Sequence, residues 1–289
     1  EEGHILDGQT AYTACDHIHR YREDYVLMRK LGIKAYRFSV SWARILPEGT
    51  GKVNEKAVAL YRDMMTEMRR NGIEPYLTMY HWELPQAVQD KGGWLNEDII
   101  GWFGEYAKVV AENFSDLCEY FITLNEPQCF VGLGHLSGVH APGQKLSYSQ
   151  TFQVAHNALR AHGQAVISLR KYAKRPIQVG YAPTCGMAYP ASERPEDVEA
   201  ARKALFSLQN PMDNWTWNVA WFSDPVFLGE YPAEGLERFK EYLPVITKED
   251  MELIAQPIDF MGQNIYNGYM VRAGADGELP QAGALLPHG

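Results

Sequence analysis

"FITLNEP", residues 121–127, is the stretch on which the reading of this chain turns. Phe121, Ile122 and Leu124 are strand formers, but the stretch ends in Asn125, Glu126 and Pro127. Proline fixes the exit of the chain and pushes the residue before it toward extended geometry. That geometry would aim the Glu126 carboxylate across a pocket at the end of the strand. The commonest place for a glutamate is a surface loop. The apolar strand directly before Glu126 and the fixed exit at Pro127 favour a functional carboxylate instead. Asn125 is a poor strand former and needs a local reason of its own.

Helical and strand patterns alternate on either side of this stretch. Residues 16–31 carry Ile18, Tyr21, Tyr25, Met28 and Leu31 at helical spacing, with Asp16 as the expected cap and Gly32 as the stop. "KAYRFSVSWARI" (34–45) reads as a strand, and 54–71 as a helix from Asn54 to Gly72. "IEPYLTMYHWELP" (73–85) is a second strand, 96–114 a helix, and "YFITLNEP" (120–127) a third strand. A long helix covers roughly 149–173, and "PIQVGYAPTC" (176–185) is a fourth strand. Helical segments fill much of 195–255, and "IDFMGQNIYNGYMV" (258–271) reads as a fifth strand. Strands alternating with helices mean βαβ units and a parallel sheet. No linker or low-complexity stretch divides the chain, so residues 1–289 are read as one domain.

Composition narrows the function. The 289 residues are 46% hydrophobic and 22% charged, with a formal net charge of −9. An acidic surface argues against nucleic acid, whose phosphates need a basic face. It argues equally against an anionic membrane surface. No run of about 18 apolar residues is present to span a bilayer. The N-terminal "EEGHILDGQTAY" has neither the basic start nor the apolar core of a signal peptide. Cysteines at 15, 118, 129 and 185 form no CxxC pair. Cys118 and Cys129 flank the third strand and are too far apart to bridge at about 3.3 Å per residue. Reduced, mostly buried thiols in a cytoplasmic protein are the expectation.

A parallel sheet leaves an open doubly wound fold or a (β/α)8 barrel. The open sheet usually announces a nucleotide site with a Gly-rich turn. No GxGxxG or GxxxxGK[ST] is present, and Gly132, Gly134 and Gly138 are wrongly spaced for either. Polar and aromatic residues instead recur at the strand ends: Ser41-Trp42, His81-Trp82-Glu83, Asn125-Glu126, and Asn264 with Tyr266. That is how barrel enzymes build an active site. Arg37 lies inside an otherwise apolar strand, and alternation puts it on one face with Ser39 and Ser41. A buried arginine needs a partner, and facing inward it would supply positive charge to carboxylates at the barrel mouth. His81 with Glu83 gives only two metal ligands on a strand, and no third is evident. Seven Trp and 17 Tyr include Trp42, Trp82, Trp94, Trp215, Trp217 and Trp221 near expected strand ends or loops. Some of these are core, while an aromatic face beside Asn, His and Glu also suits a sugar.

Five segments in order, "ACDHIHRYREDYVLMRKLGIKAYRFSVSWARI" (14–45), "YHWELPQAVQDKGGW" (80–94), "TLNEP" (123–127), "DPVFLGEYP" (224–232) and "DFMGQNIYNG" (259–268), resemble glycoside hydrolase family 1, the β-glucosidase family. The resemblance covers nearly the whole chain. It implies a (β/α)8 barrel that hydrolyses β-linked glucosides, galactosides or fucosides with retention. It implies that Glu126 is the general acid/base and that Asn125 bonds the sugar 2-hydroxyl. His81 and Trp82 match sugar-binding positions, with Glu83 where the pattern usually has Asp. Arg37 matches the arginine that supports the nucleophile carboxylate, and Asn264 and Tyr266 match an Asn and a Tyr near it. No cofactor is implied, and the sequence holds no haem-attachment motif, phosphate loop or metal cluster.

The "TENG"-type motif that carries the family's nucleophile on the seventh strand does not occur here. The first and eighth strands are also missing, so strands two to six are expected. Retaining hydrolysis needs two carboxyls roughly 5–5.5 Å apart. Five strands alone would leave two open edges. The partner expected is therefore the rest of the barrel, on the same or a second chain, alongside a small β-glycoside or oligosaccharide substrate. The competing expectation is a non-catalytic carbohydrate-binding or truncated barrel that keeps His81, Trp82 and Asn125.

Overall fold

The structure is a computed structural model and describes residues 5–10, 13–208, 212–274 and 281–284. Asn54 opens the helix Glu55–Arg70 by accepting the Ala57 amide at 3.4 Å. That helix buries Val58, Tyr61, Met65 and Met68, one apolar stripe at helical spacing. Ile99–Phe114 starts three residues later than the sequence suggests. Tyr148–Tyr172 opens with a capping box between Ser147 and Gln150. His17–Lys30 forms as expected, but Asp16 is not its side-chain cap. Its backbone is left-handed (φ 52°), and its carboxylate pairs with the His19 ring at 2.6 Å instead.

The expected strands are present as β1 (Ala35–Ser39), β2 (Glu74–Tyr80), β3 (Tyr120–Asn125) and β4 (Gln178–Ala182). β1 is shorter than its apolar run because Ser41 accepts the Arg44 amide and starts a helical turn, Trp42–Ile45. Four further strands are β5 (Met187–Pro190), β6 (Phe260–Met261), β7 (Gly268–Arg272) and β8 (Gln281–Ala284). One parallel sheet has the order β1-β2-β3-β4-β6. A second, smaller sheet has the order β5-β7-β8. The fifth strand expected over 258–271 is thus divided. Phe260–Met261 pairs with β4, Asn264 makes one bridge to Thr184, and Gly268–Arg272 leaves for the second sheet. Gly262, Asn264 and the Asn267-Gly268 pair interrupt the run, each a poor strand former.

The helices between successive strands of the main sheet lie on one side of it and bury the core there. Trp42 stacks on Tyr106 at 5.2 Å, and Phe152 stacks on Trp215 at 3.8 Å. Trp94 and Trp221 are buried with them, so four of the six tryptophans singled out above are core. Trp82 is half-buried and Trp217 is exposed. On the opposite side, Tyr76 stacks on Tyr120 at 4.2 Å with Phe260 edge-on to both. The sheet is an arc of a parallel barrel, and this second side is the arc's inner face.

The glycines after β3 serve close packing. Residues 130–136 continue as a π-helical turn after Pro127–Cys129. A Cβ on Gly132 would lie 2.8 Å from the Thr216 hydroxyl, and one on Gly134 2.6 Å from the Ala141 carbonyl oxygen.

Candidate active site

Alternation along β3 puts Tyr120, Ile122 and Leu124 on the inner face and Phe121, Thr123 and Asn125 on the outer. Thr123 obeys: its hydroxyl meets the His162 ring at 2.6 Å, on the helix Tyr148–Tyr172. Asn125 does not. Ile122 pairs with Gly180 but Asn125 pairs with Ala182, so β3 carries one extra residue against β4. Such a bulge re-aims side chains, and it turns the Asn125 amide inward. Glu126 then donates its amide to the Ala182 carbonyl at 2.7 Å and leaves the strand with φ 43° and ψ 67°. The extended geometry expected before Pro127 is therefore not adopted. Proline disfavours the right-handed helical region before it, and the left-handed region is what the bulge and Pro127 leave for a chain turning into a helix. Trp82, at the neighbouring tip of β2, also has positive φ (76°). Non-glycine residues in this region cost about 1–3 kcal/mol each and gather at functional sites.

The inner side of these tips holds a closed hydrogen-bond network. The Asn125 Oδ1 accepts from Arg37 Nη2 and, at 2.9 Å, from Asn264 Nδ2. Its Nδ2 faces His81 Nε2 at 3.2 Å, and its carbonyl accepts Trp82 Nε1 at 3.0 Å. Arg37 also donates to Thr78 Oγ1 at 2.9 Å and to Asn264 Oδ1 at 3.1 Å. Glu126 is 5% exposed, and both of its carboxylate oxygens are engaged. Asn264 Nδ2 donates to Oε1 at 2.5 Å, and the Cys129 thiol donates to Oε2 at 3.0 Å.

Charges in the cluster follow from this packing. Withdrawal from water lowers the Arg37 pKa, and Glu126 and Tyr266 oppose that shift. Withdrawal from water, then the Arg37 charge, lowers the His81 pKa. A neutral His81 fits its role as acceptor from Asn125. Burial, then the hydrogen bond to Glu126, pushes the Cys129 thiol up.

The network gathers Arg37, His81, Trp82, Asn125, Glu126 and Asn264. Tyr266 stands apart at 85% exposed, on the segment beyond β6. Sequence reasoning missed Thr78, Gln128, Cys129 and Thr184. Gln128 is fully buried: its Nε2 donates to the Thr184 carbonyl at 2.9 Å, and its Oε1 accepts the Thr184 amide at 3.3 Å. The Thr184 hydroxyl donates to the Asn264 carbonyl at 2.9 Å. The one sequence signal for Gln128 and Cys129 was their place directly after Pro127. Among the described residues, no group of three or more His, Cys, Asp or Glu is placed to hold a metal ion. Cys118 and Cys129 are buried free thiols, Cys185 is half-buried, and Cys15 is exposed. No helix among the described residues is long and apolar enough to cross a membrane.

An acid, an amide and a guanidinium converging on strand tips, beside an indole and an imidazole, define a strand-end site of a parallel α/β barrel. The family model for glycosyl hydrolase family 1 matches residues 1–282, and the chain belongs to that family. It is similar to a 1,4-beta-D-glucan glucohydrolase of Thermotoga neapolitana, 46% identical over 93% of this chain and 61% of that protein. It is also similar to beta-glucosidase A of Thermotoga maritima, 44% identical over 95% of this chain and 59% of that one. Among solved structures, the T. maritima beta-glucosidase in complex with glucoimidazole matches at 42% identity. Its TM-score is 0.84, covering 99% of this chain and 62% of the other. The chain thus spans about 60% of the length of these relatives. The β1-to-β6 arc is part of a (β/α)8 barrel.

Proposed function

We propose that these residues form the acid/base half of a retaining β-glycosidase acting on β-glucosides and on related galactosides and fucosides. The carrying observation is Glu126, a buried carboxylate at a central strand tip with a hydrogen-bond donor on each oxygen and the Asn125 amide beside it. In the first step Glu126 gives its proton to the glycosidic oxygen as the bond to the anomeric carbon breaks. A second carboxylate, expected on a seventh strand outside these residues, attacks that carbon and forms a glycosyl-enzyme. In the second step Glu126 takes a proton from water, which displaces the enzyme carboxylate. Asn125 would bond the sugar 2-hydroxyl, with His81 and Trp82 holding the same ring. Arg37, Asn264 and Tyr266 would flank the second carboxylate, where a guanidinium keeps it ionised.

The names of the similar proteins support a β-glucoside substrate. The residues are read as one partial barrel domain, completed by the remaining strands. Free thiols support a reducing, cytoplasmic setting.

The test is Glu126→Gln in the polypeptide that carries the complete barrel. Loss should be about 100-fold or more on glycosides with poor leaving groups and much smaller on activated aryl glycosides, because acid assistance matters less when the leaving group departs unaided. Equal loss on both would remove the acid role. Sugar binding without turnover in the unaltered protein would favour a carbohydrate-binding barrel.

A further inference from the structure

Glu126 sits where a helix cap would sit, directly before Pro127–Cys129, yet its side chain caps nothing. A capping residue is normally extended, with its side-chain oxygen on the amides two or three residues ahead. Here the left-handed backbone swings the carboxylate away, and the Cys129 amide goes to the Glu126 backbone carbonyl at 2.9 Å. The freed Oε2 receives the Cys129 thiol at 3.0 Å, while Asn264 Nδ2 reaches Oε1 from the inner face. The two oxygens are therefore unequal. Oε2 meets a 6%-exposed thiol, and Oε1 meets the Asn264 amide on the inner side of the sheet.

We propose that Cys129 is a positioning residue for the acid/base: its thiol holds Oε2 while the Asn264 amide holds Oε1, and the two together fix the carboxylate rotamer. This rests on the acid/base reading of Glu126. A carboxylate with a donor on each oxygen cannot turn about its last bond without breaking both hydrogen bonds. The thiol also favours the ionised carboxylate, as any donor to the charged form does. The other titratable groups facing Glu126 are Arg37 from β1 and His81 from the tip of β2, with Tyr266 bearing on Arg37. None of them changes in the variants below, so a difference between those variants isolates the thiol.

The experiment compares Cys129→Ala, Cys129→Val and Cys129→Ser in the polypeptide that carries the complete barrel. Each is measured with a poor-leaving-group and an activated aryl β-glucoside across pH. Loss of the donor should move the alkaline limb of kcat/KM upward, since a donor to the carboxylate favours its ionised form. It should also lower the rate on the poor-leaving-group substrate several-fold relative to the activated one. The serine variant, which keeps a donor, should restore both. Valine fills the site without a donor and serves if the alanine protein does not fold. A 13C titration of the Glu126 carboxyl should show the same displacement without turnover. An unmoved limb, an unmoved carboxyl titration and an unchanged substrate ratio, with Glu126→Gln still separating the two substrates, would overturn the Cys129 role and leave the acid role standing. If Glu126→Gln fails to separate them, the underlying functional reading has failed instead.

Discussion

Glu126 and Tyr266 were both expected at strand ends, yet one is 5% exposed and the other 85%. Glu126 directly follows a six-residue strand with neighbours on both sides, β2 and β4. Tyr266 lies past a two-residue strand whose only partner among the described residues is β4. The contrast shows that a strand tip is placed by the strands flanking it and not by its own sequence. Asn264 is the intermediate case. It stands on the weaker segment but is tied back by Thr184, Asn125 and Arg37, so it reaches Glu126.

Breaking that tie gives the largest effect. Asn264→Ala removes the donor to Oε1 and unlinks the β6 tip from the β3 tip. About 100-fold loss on poor-leaving-group substrates is expected in the complete barrel, the scale of a 1 Å misplacement. Kinetics with both substrate types check this, and little loss would mean that the neighbouring strands alone hold Glu126.

A smaller effect comes from the floor of the same connection. A Cβ on Gly180 would lie 2.4 Å from the Phe260 ring. Gly180→Ala should therefore push Phe260 from β4 and cost about 1–3 kcal/mol, as overpacking does. Urea unfolding measures it, and a neutral result would show that the β4–β6 pairing yields freely.

The smallest effect lies in the second sheet. Asp197 accepts from the Ser192 hydroxyl and from the Ala273 amide at 2.8 Å, with Arg194 alongside, and these hold its pKa down at about 2. A depressed carboxylate stabilises the fold above its unfolded pKa, near 3.9, and that contribution is lost as pH falls through the folded value. The Ala273 amide resonance should titrate with a midpoint near 2, with the main sheet unaffected. A midpoint near the unfolded value would mean that Asp197 does not tie the exit of β7 to the helix Pro195–Phe206.

Much of this was legible in the residues. The β1 to β4 cores are β-branched and aromatic runs bounded by Gly, Pro or Asn, and between them Glu55–Arg70 and Tyr148–Tyr172 carry side-chain caps and apolar stripes at helical spacing. Glu126 was legible because an acid between an apolar strand and a proline breaks the local pattern. Arg37 was legible because a strand interior does not hold an unpaired guanidinium, and the structure gives it Thr78, Asn125 and Asn264 as partners. The break in 258–271 had local signals in Gly262, Asn264 and Asn267-Gly268, but which sheet each part joins was not legible, since Phe260, Met261, Tyr269 and Val271 are all strand formers. Cys129 was not legible either, because a buried cysteine reads as core until its neighbour is known.

The sequence by itself determined the alternation of helix and strand, the parallel arc and the identities of the acid, the amide and the guanidinium. These depend on local propensity and on the chemistry of single side chains. Only the tertiary structure decided which way those side chains face. The extra residue of β3 against β4 turned Asn125 inward, the left-handed turn at Glu126 released its carboxylate from capping, and Thr184 drew Asn264 across to meet it. The register of β3 against β4 and the Thr184 contact are set by residues remote in the chain, which no window of sequence contains.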